Sequence, residues 1–100
     1  MLYITVHLYG KTGVAGEFKD YESKALNIFR RHGGDVIVAY RPVRQPGAEN
    51  VPDEIQILRI ADQATLERFM KDPERVSMAA ERDAVIQRTD LYLSDALVDY

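Results

Sequence analysis

The amino-acid sequence predicts one α+β domain in which two β-α-β halves build a four-stranded antiparallel sheet, with the helices on a single face. Three observations carry that prediction. Apolar residues alternate with polar ones in short segments at both ends of the chain and twice in between, the period of half-buried strands. Between Val14 and His32 the apolar positions step by four and three, the repeat of one helical face. Glycine and proline clusters separate these segments. At 100 residues, with 46% hydrophobic and 29% charged side chains, the chain has the size and make-up of one domain around one core.

The first strand runs from Leu2 to Tyr9, with Leu2, Ile4, Val6 and Leu8 on one side and Tyr3, Thr5, His7 and Tyr9 on the other. Gly10-Lys11-Thr12-Gly13 breaks it. The helix that follows presents Val14, Phe18, Tyr21, Ala25, Ile28 and His32 as a stripe. Gly33-Gly34 ends this helix, because glycine just past the cap takes the left-handed conformation without steric penalty. Asp35 to Val43 reads as the second strand, with Val36, Val38 and Tyr40 opposite Ile37, Ala39 and Arg41. Arg44 to Asp53 is proline- and glycine-bearing and reads as a long connection, and Glu54 to Ala61 as the third strand.

Asp62 stands where a helix cap belongs, followed by Leu66, Phe69 and Met70 as an apolar face. Asp72-Pro73 is a second start signal, so the helical region is expected to break there and resume through Val76, Ala79 and Ala80 to about Val85. Thr89 to Val98 is the fourth strand, Leu91, Leu93 and Leu97 alternating with Tyr92, Ser94, Ala96 and Val98. With right-handed crossovers the order βαββαβ is the ferredoxin-like arrangement. Its helices cover one sheet face only. The other face carries Tyr3, His7, Tyr9, Ile55 and Ile57 on the two expected central strands, more apolar and aromatic surface than a small domain leaves in water. A second copy of the chain, packed sheet to sheet about a twofold axis, is the expected cover.

Composition narrows the function. The absence of cysteine excludes disulfides, thiolate metal sites and a cysteine nucleophile, and two histidines cannot form a multi-histidine metal cage. A net charge of -3 removes the long-range attraction to phosphate backbones, so nucleic acid is not an expected partner. No apolar run approaches the roughly 20 residues of a membrane span, and no leader is recognisable at Met1, so a soluble cytoplasmic protein is expected. There is no glycine-rich phosphate loop, Ser-His-Asp order or metal-ligand spacing.

The candidate site residues lie on the uncovered sheet face. His7 is a titratable group in mid-strand there, and Arg59, by strand alternation, points the same way as Ile55 and Ile57. As a catalytic pair, His7 would move a proton while Arg59 stabilised an enolate-like charge. As structural residues, His7 would be hydrogen-bonded to a neighbouring strand or across a dimer, and Arg59 would pair with a carboxylate. Asp95, which interrupts the leucine row, is the expected partner. Tyr3, Tyr9 and Tyr40 are candidate ligand contacts together with Asp95, against the plainer reading that strand tyrosines pack an interface. His32 in Arg30-Arg31-His32 reads as a positive group meeting the negative end of the helix dipole. Asp20 with Glu22, and Glu81 with Asp83, are two apart on helices and read as solvated surface.

Four stretches carry a resemblance to a known family. They are Tyr3-Ile4-Thr5-Val6 in the first strand, Arg31-His32-Gly33-Gly34 at the helix end, Leu58-Arg59-Ile60-Ala61-Asp62, and Phe69-Met70-Lys71-Asp72-Pro73-Glu74. Together they resemble the dimeric α+β barrel superfamily, and within it the family called domain of unknown function 1330. The resemblance implies a homodimer whose two sheets face one another and enclose a pocket. It does not imply a reaction, because related families include cofactor-independent monooxygenases, isomerase-like and haem-degrading enzymes, and proteins without known activity. Asp35 and Arg59 depart from it, standing where the family often has arginine and glutamate.

The function expected is that of a homodimeric small-molecule-binding protein, with the ligand held between sheet and helices. Such a protein can be a cofactor-independent enzyme acting on an aromatic or oxo compound; the alternative is a non-catalytic dimer whose sheet face serves only as an assembly interface and which holds no ligand. No cofactor and no metal are expected.

Overall fold

The computed structural model describes residues 1–100. Its elements are β1 (Leu2–Gly10), α1 (Ala15–Arg31), β2 (Asp35–Tyr40), β3 (Glu54–Ile60), α2 (Gln63–Met70), α3 (Pro73–Ser77), α4 (Ala79–Val85) and β4 (Ile86–Ser94). The four strands form one antiparallel sheet in the order β2-β3-β1-β4, the ferredoxin-like topology expected from the sequence. Along its shortest axis the molecule extends only 16 Å, one sheet layer and one helix layer thick.

The core lies between those layers. Leu2, Ile4, Val6 and Leu8 of β1 and Leu58 and Ile60 of β3 are buried against Phe18, Tyr21, Ala25 and Phe29 of α1. Period two in the strands and three-to-four in the helix meet on one surface, as the alternation in the sequence requires. Gly33 has φ +82, the left-handed conformation that closes α1. Gly34 is needed for a different reason: a Cβ there would lie 2.3 Å from a ring carbon of Phe29, which is 1% exposed.

Asp62 caps α2 by accepting from the Thr65 backbone N–H at 2.8 Å, and Asp72 caps α3 by accepting from that of Glu74 at 2.9 Å. The break at Asp72-Pro73 is as expected, and a further one falls at Met78, whose N–H turns back to Arg75 O at 3.1 Å. His32 does more than meet the helix dipole, since its Nε2 lies 2.8 Å from Asp72 Oδ2 and ties the end of α1 to the start of α3.

Two strand expectations need correction. In β2 the pairing steps from Val36↔Leu58 to Val38↔Ile57, so Ile37 is an extra residue in a bulge. The bulge turns Val38 and Tyr40 to the open face while Val36 stays with the helices, and the strand ends at Tyr40, before Val43. In β4 the strand starts at Ile86, directly from α4, and stops at Ser94, opposite Tyr3. There β1 runs out, and Ser94 Oγ instead hydrogen-bonds Ala96 O at 2.8 Å and accepts from Ala96 N at 3.3 Å. Asp95, Leu97 and Val98 therefore lie outside the strand.

Candidate functional site

Between the covered sheet face and the helices is a cavity of about 280 Å³, near the lower end of the roughly 300–1,000 Å³ common for small-molecule sites. Its walls are mostly apolar and include Val6, Leu66, Phe69 and Leu91. The polar exceptions are few: the charged Glu22, Arg75 and Arg82, and the neutral Gln56, Tyr21 and Thr89.

Glu22 is the departure from the sequence reading, which took it for solvated surface. It is 9% exposed, because it follows Phe18 by four residues and precedes Ala25 by three, on the stripe that α1 turns inward. Gln56, 2% exposed on β3, donates from Nε2 to Glu22 Oε1 at 2.9 Å and to Glu54 Oε2 at 2.7 Å. Burial pushes the Glu22 carboxyl up to about 7, with Glu54 adding to the rise; the Gln56 amide and the Arg82 and Arg75 charges pull the other way. A carboxyl with that pKa exchanges protons near neutrality, as a general acid or base must. The Tyr21 hydroxyl is pushed up as well, by burial first and then by Glu22.

Arg75 on α3 and Arg82 on α4 supply positive charge to the same cavity. The Arg75 guanidinium lies 5.2 Å over the Phe69 ring and Nη1 donates to Met70 O at 3.0 Å. Arg82 reaches only Asp83, its exposed chain neighbour, at 3.9 Å. A proton-exchanging carboxyl, two guanidinium groups and an apolar wall together can hold a compound that carries or develops negative charge.

The residues singled out by sequence lie on the opposite, open face. Tyr3 and His7 of β1 and Arg59 of β3 share that face, but the register sets Arg59 opposite Tyr3 and His7 opposite Ile55. Arg59 and His7 are thus four residues apart along the strands, roughly 13 Å at about 3.3 Å per residue, and the expected close pairing does not form. Arg59 pairs with Asp35, not Asp95: Nη2 lies 3.0 Å from Asp35 Oδ2, because the β2–β3 register sets the two directly opposite. Asp95 is past the end of β4 and exposed. The His7 ring packs edge-on against Tyr92 with centroids 5.6 Å apart. Tyr9 lies under the Arg88 guanidinium at 4.0 Å, and its hydroxyl donates to Asn50 O at 3.3 Å. Tyr40 is 48% exposed opposite Ile55. None of these side chains lines the cavity. No group of three or more His, Asp or Glu side chains stands close enough to hold a metal ion, and no helix is long and apolar enough to cross a membrane.

The model of the family described as Domain of unknown function (DUF1330) matches residues 3–96. The chain belongs to the DUF1330 family. No curated protein matches the sequence. Among solved structures, this DUF1330 protein is similar to a protein of unknown function from Rhodopseudomonas palustris, with TM-score 0.79 and 17% identity over 98% of this chain and 83% of that one. It is also similar to a dabb family protein with a ferredoxin-like fold from Mesorhizobium loti, with TM-score 0.69 and 18% identity over 97% of each chain. An antibiotic biosynthesis monooxygenase matches with TM-score 0.69 and 14% identity, over 98% of this chain and 100% of that one. At such identities the likeness shows the ferredoxin-like fold that these proteins share.

Proposed function

We propose that this DUF1330 protein binds a small aromatic or oxo compound in the cavity between sheet and helices and that Glu22 moves a proton on it without a cofactor. The observation that carries the reading is the buried Glu22 carboxyl, held by Gln56 in an apolar cavity at a pKa of about 7. As a carboxylate, Glu22 takes a proton from the carbon beside a carbonyl. The C–H electron pair becomes a C=C bond and the carbonyl pair moves to oxygen, giving an enolate favoured by the positive charge of Arg75 and Arg82. Return of the proton to oxygen completes a tautomerisation and its return to carbon an α-proton exchange, with no other reactant consumed.

In this reading the open face is the assembly surface of a symmetric homodimer. Ile55 and Ile57 are only half-buried there, and Val38, Tyr40 and Tyr92 are 45%, 48% and 58% exposed. Covering such a face in a stable dimer buries on the order of 1,500 Å² or more. His7, Tyr3 and Arg59 then serve assembly, which keeps the interface reading for that face, and the ligand lies between sheet and helices with other residues around it.

The test is NMR mapping of aryl ketones and oxo acids, with α-proton exchange in D₂O as the activity readout. Shifts are expected at Leu66 and Leu91, together with catalysed exchange that falls about 10²-fold in E22Q. Shifts confined to Ile57 and His7, or equal exchange by E22Q, would refute the reading.

A further inference from the structure

The nine arginines of this chain differ in what they bond: Arg30 and Arg68, outside the cavity, donate to Asn27 Oδ1 and Thr65 Oγ1 on their own helices. Arg31, Arg41, Arg44, Arg59 and Arg88 each have a carboxylate of another segment or a strand neighbour, namely Glu74, Glu54, Asp53, Asp35 and Asp90. The two that line the cavity have no such partner. Arg75 is half-buried and bonds only the Met70 carbonyl, and Arg82 has only its loose contact with exposed Asp83. Glu22, the one acidic side chain in the lining, is committed to Gln56. The other charges around it are spent elsewhere: Glu54 faces Gln56 and Arg41, and Glu81 pairs with Lys24 at 3.0 Å. An apolar cavity thus carries two guanidinium groups against one acidic side chain, and neither guanidinium is paired with it. Partly desolvated cations are costly without a counter-ion, and guanidinium is shaped to grip a carboxylate by two hydrogen bonds.

We propose that the ligand brings that counter-ion itself: it is a small oxo acid with an aryl or branched apolar body, whose carboxylate is taken by Arg75 and Arg82 while the body lies along Leu66, Phe69 and Leu91. This rests on the cavity being the ligand site. Charge counting links it to the reaction, because the enolate of an oxo acid carries two negative charges and the cavity offers two positive ones. Arg75 is held over Phe69, so its fork is preorganised rather than freely mobile.

Affinities of phenylpyruvate and phenylacetone, which share an aryl body and carbonyl but differ in the carboxylate, test the inference by calorimetry at pH 7.5. The full-length protein is expected to bind phenylpyruvate at least tenfold more tightly. R75Q and R82Q should each cut that preference severalfold by weakening phenylpyruvate more than phenylacetone, while R68Q, outside the cavity, should leave it intact. Equal affinities for the two compounds in the unmodified protein would overturn the carboxylate inference and leave the cavity reading standing, and that comparison needs no variant to fold. A preference untouched by both R75Q and R82Q would overturn it too. If neither compound perturbs Leu66 or Leu91 by NMR, the inference and the cavity reading fall together.

Discussion

Replacing Glu22 by Gln should change how the stability of this DUF1330 protein depends on pH. In the unfolded chain the carboxyl titrates near 4.5, and in the folded protein burial pushes it up to about 7. The folded state therefore binds more protons than the unfolded state between those values, and its stability falls as pH rises through that window. Below pH 4.5 the group is neutral in both states and costs nothing; above pH 7 the full cost of the buried charge is present. At about 1.4 kcal/mol per pH unit, that cost is about 3 kcal/mol, a large share of the about 5–15 kcal/mol that holds a typical domain folded. The amide of E22Q has the same shape and no charge to bury. Urea unfolding of both proteins at pH 4.5, 6 and 8, at one protein concentration, isolates the term, because other titrating groups cancel in the difference. E22Q should gain about 3 kcal/mol on the wild type between pH 4.5 and 8. Parallel pH profiles would refute the reasoning, since they would mean that Glu22 is solvated in the folded protein.

Three other outcomes follow from the geometry. Gln56→Leu removes the donor that favours the Glu22 carboxylate, so the carboxyl pKa, read from its ¹³C shift, should rise above the wild-type value; a fall would contradict the assigned hydrogen bond. Gly33→Ala should cost about 1 kcal/mol, because only its left-handed backbone is at stake, whereas Gly34→Ala should cost up to about 3 kcal/mol by driving a methyl into Phe29; denaturant midpoints in the reverse order would count against both explanations. Light scattering at micromolar concentration should find a dimer, and Ile57→Lys on the open face should give a folded monomer by circular dichroism; a monomeric wild type would remove the proposed assembly.

The fold was readable from periodicity because each covered strand face and the α1 stripe answer to a single buried layer. Local polar geometry overrode the pattern where it failed. A bulge at Ile37 reversed the facing of Val38 and Tyr40, and the end of β1 cut β4 short at Ser94 although Leu97 kept the alternation going. The site was less legible for a related reason. Strand alternation points to the charged groups it exposes, His7 and Arg59, yet those two stand four residues out of register. The spacing of Glu22 to Asp20 points to surface, whereas its spacing to Phe18 and Ala25 puts it on the buried stripe. Arg75 and Arg82 carry no comparable signal. They stand on either side of the break at Met78 and both line the cavity, a placement that depends on tertiary packing.

The most direct test of the central claim is the pH dependence of α-proton exchange from an aryl oxo acid in D₂O, followed by proton NMR. If Glu22 is the base, the catalysed rate should rise with an inflection near pH 7 and level off above it, and E22Q should lose the inflection together with about 10²-fold of the rate. A rate that climbs steadily with hydroxide concentration, identical in the wild type and E22Q, would contradict it.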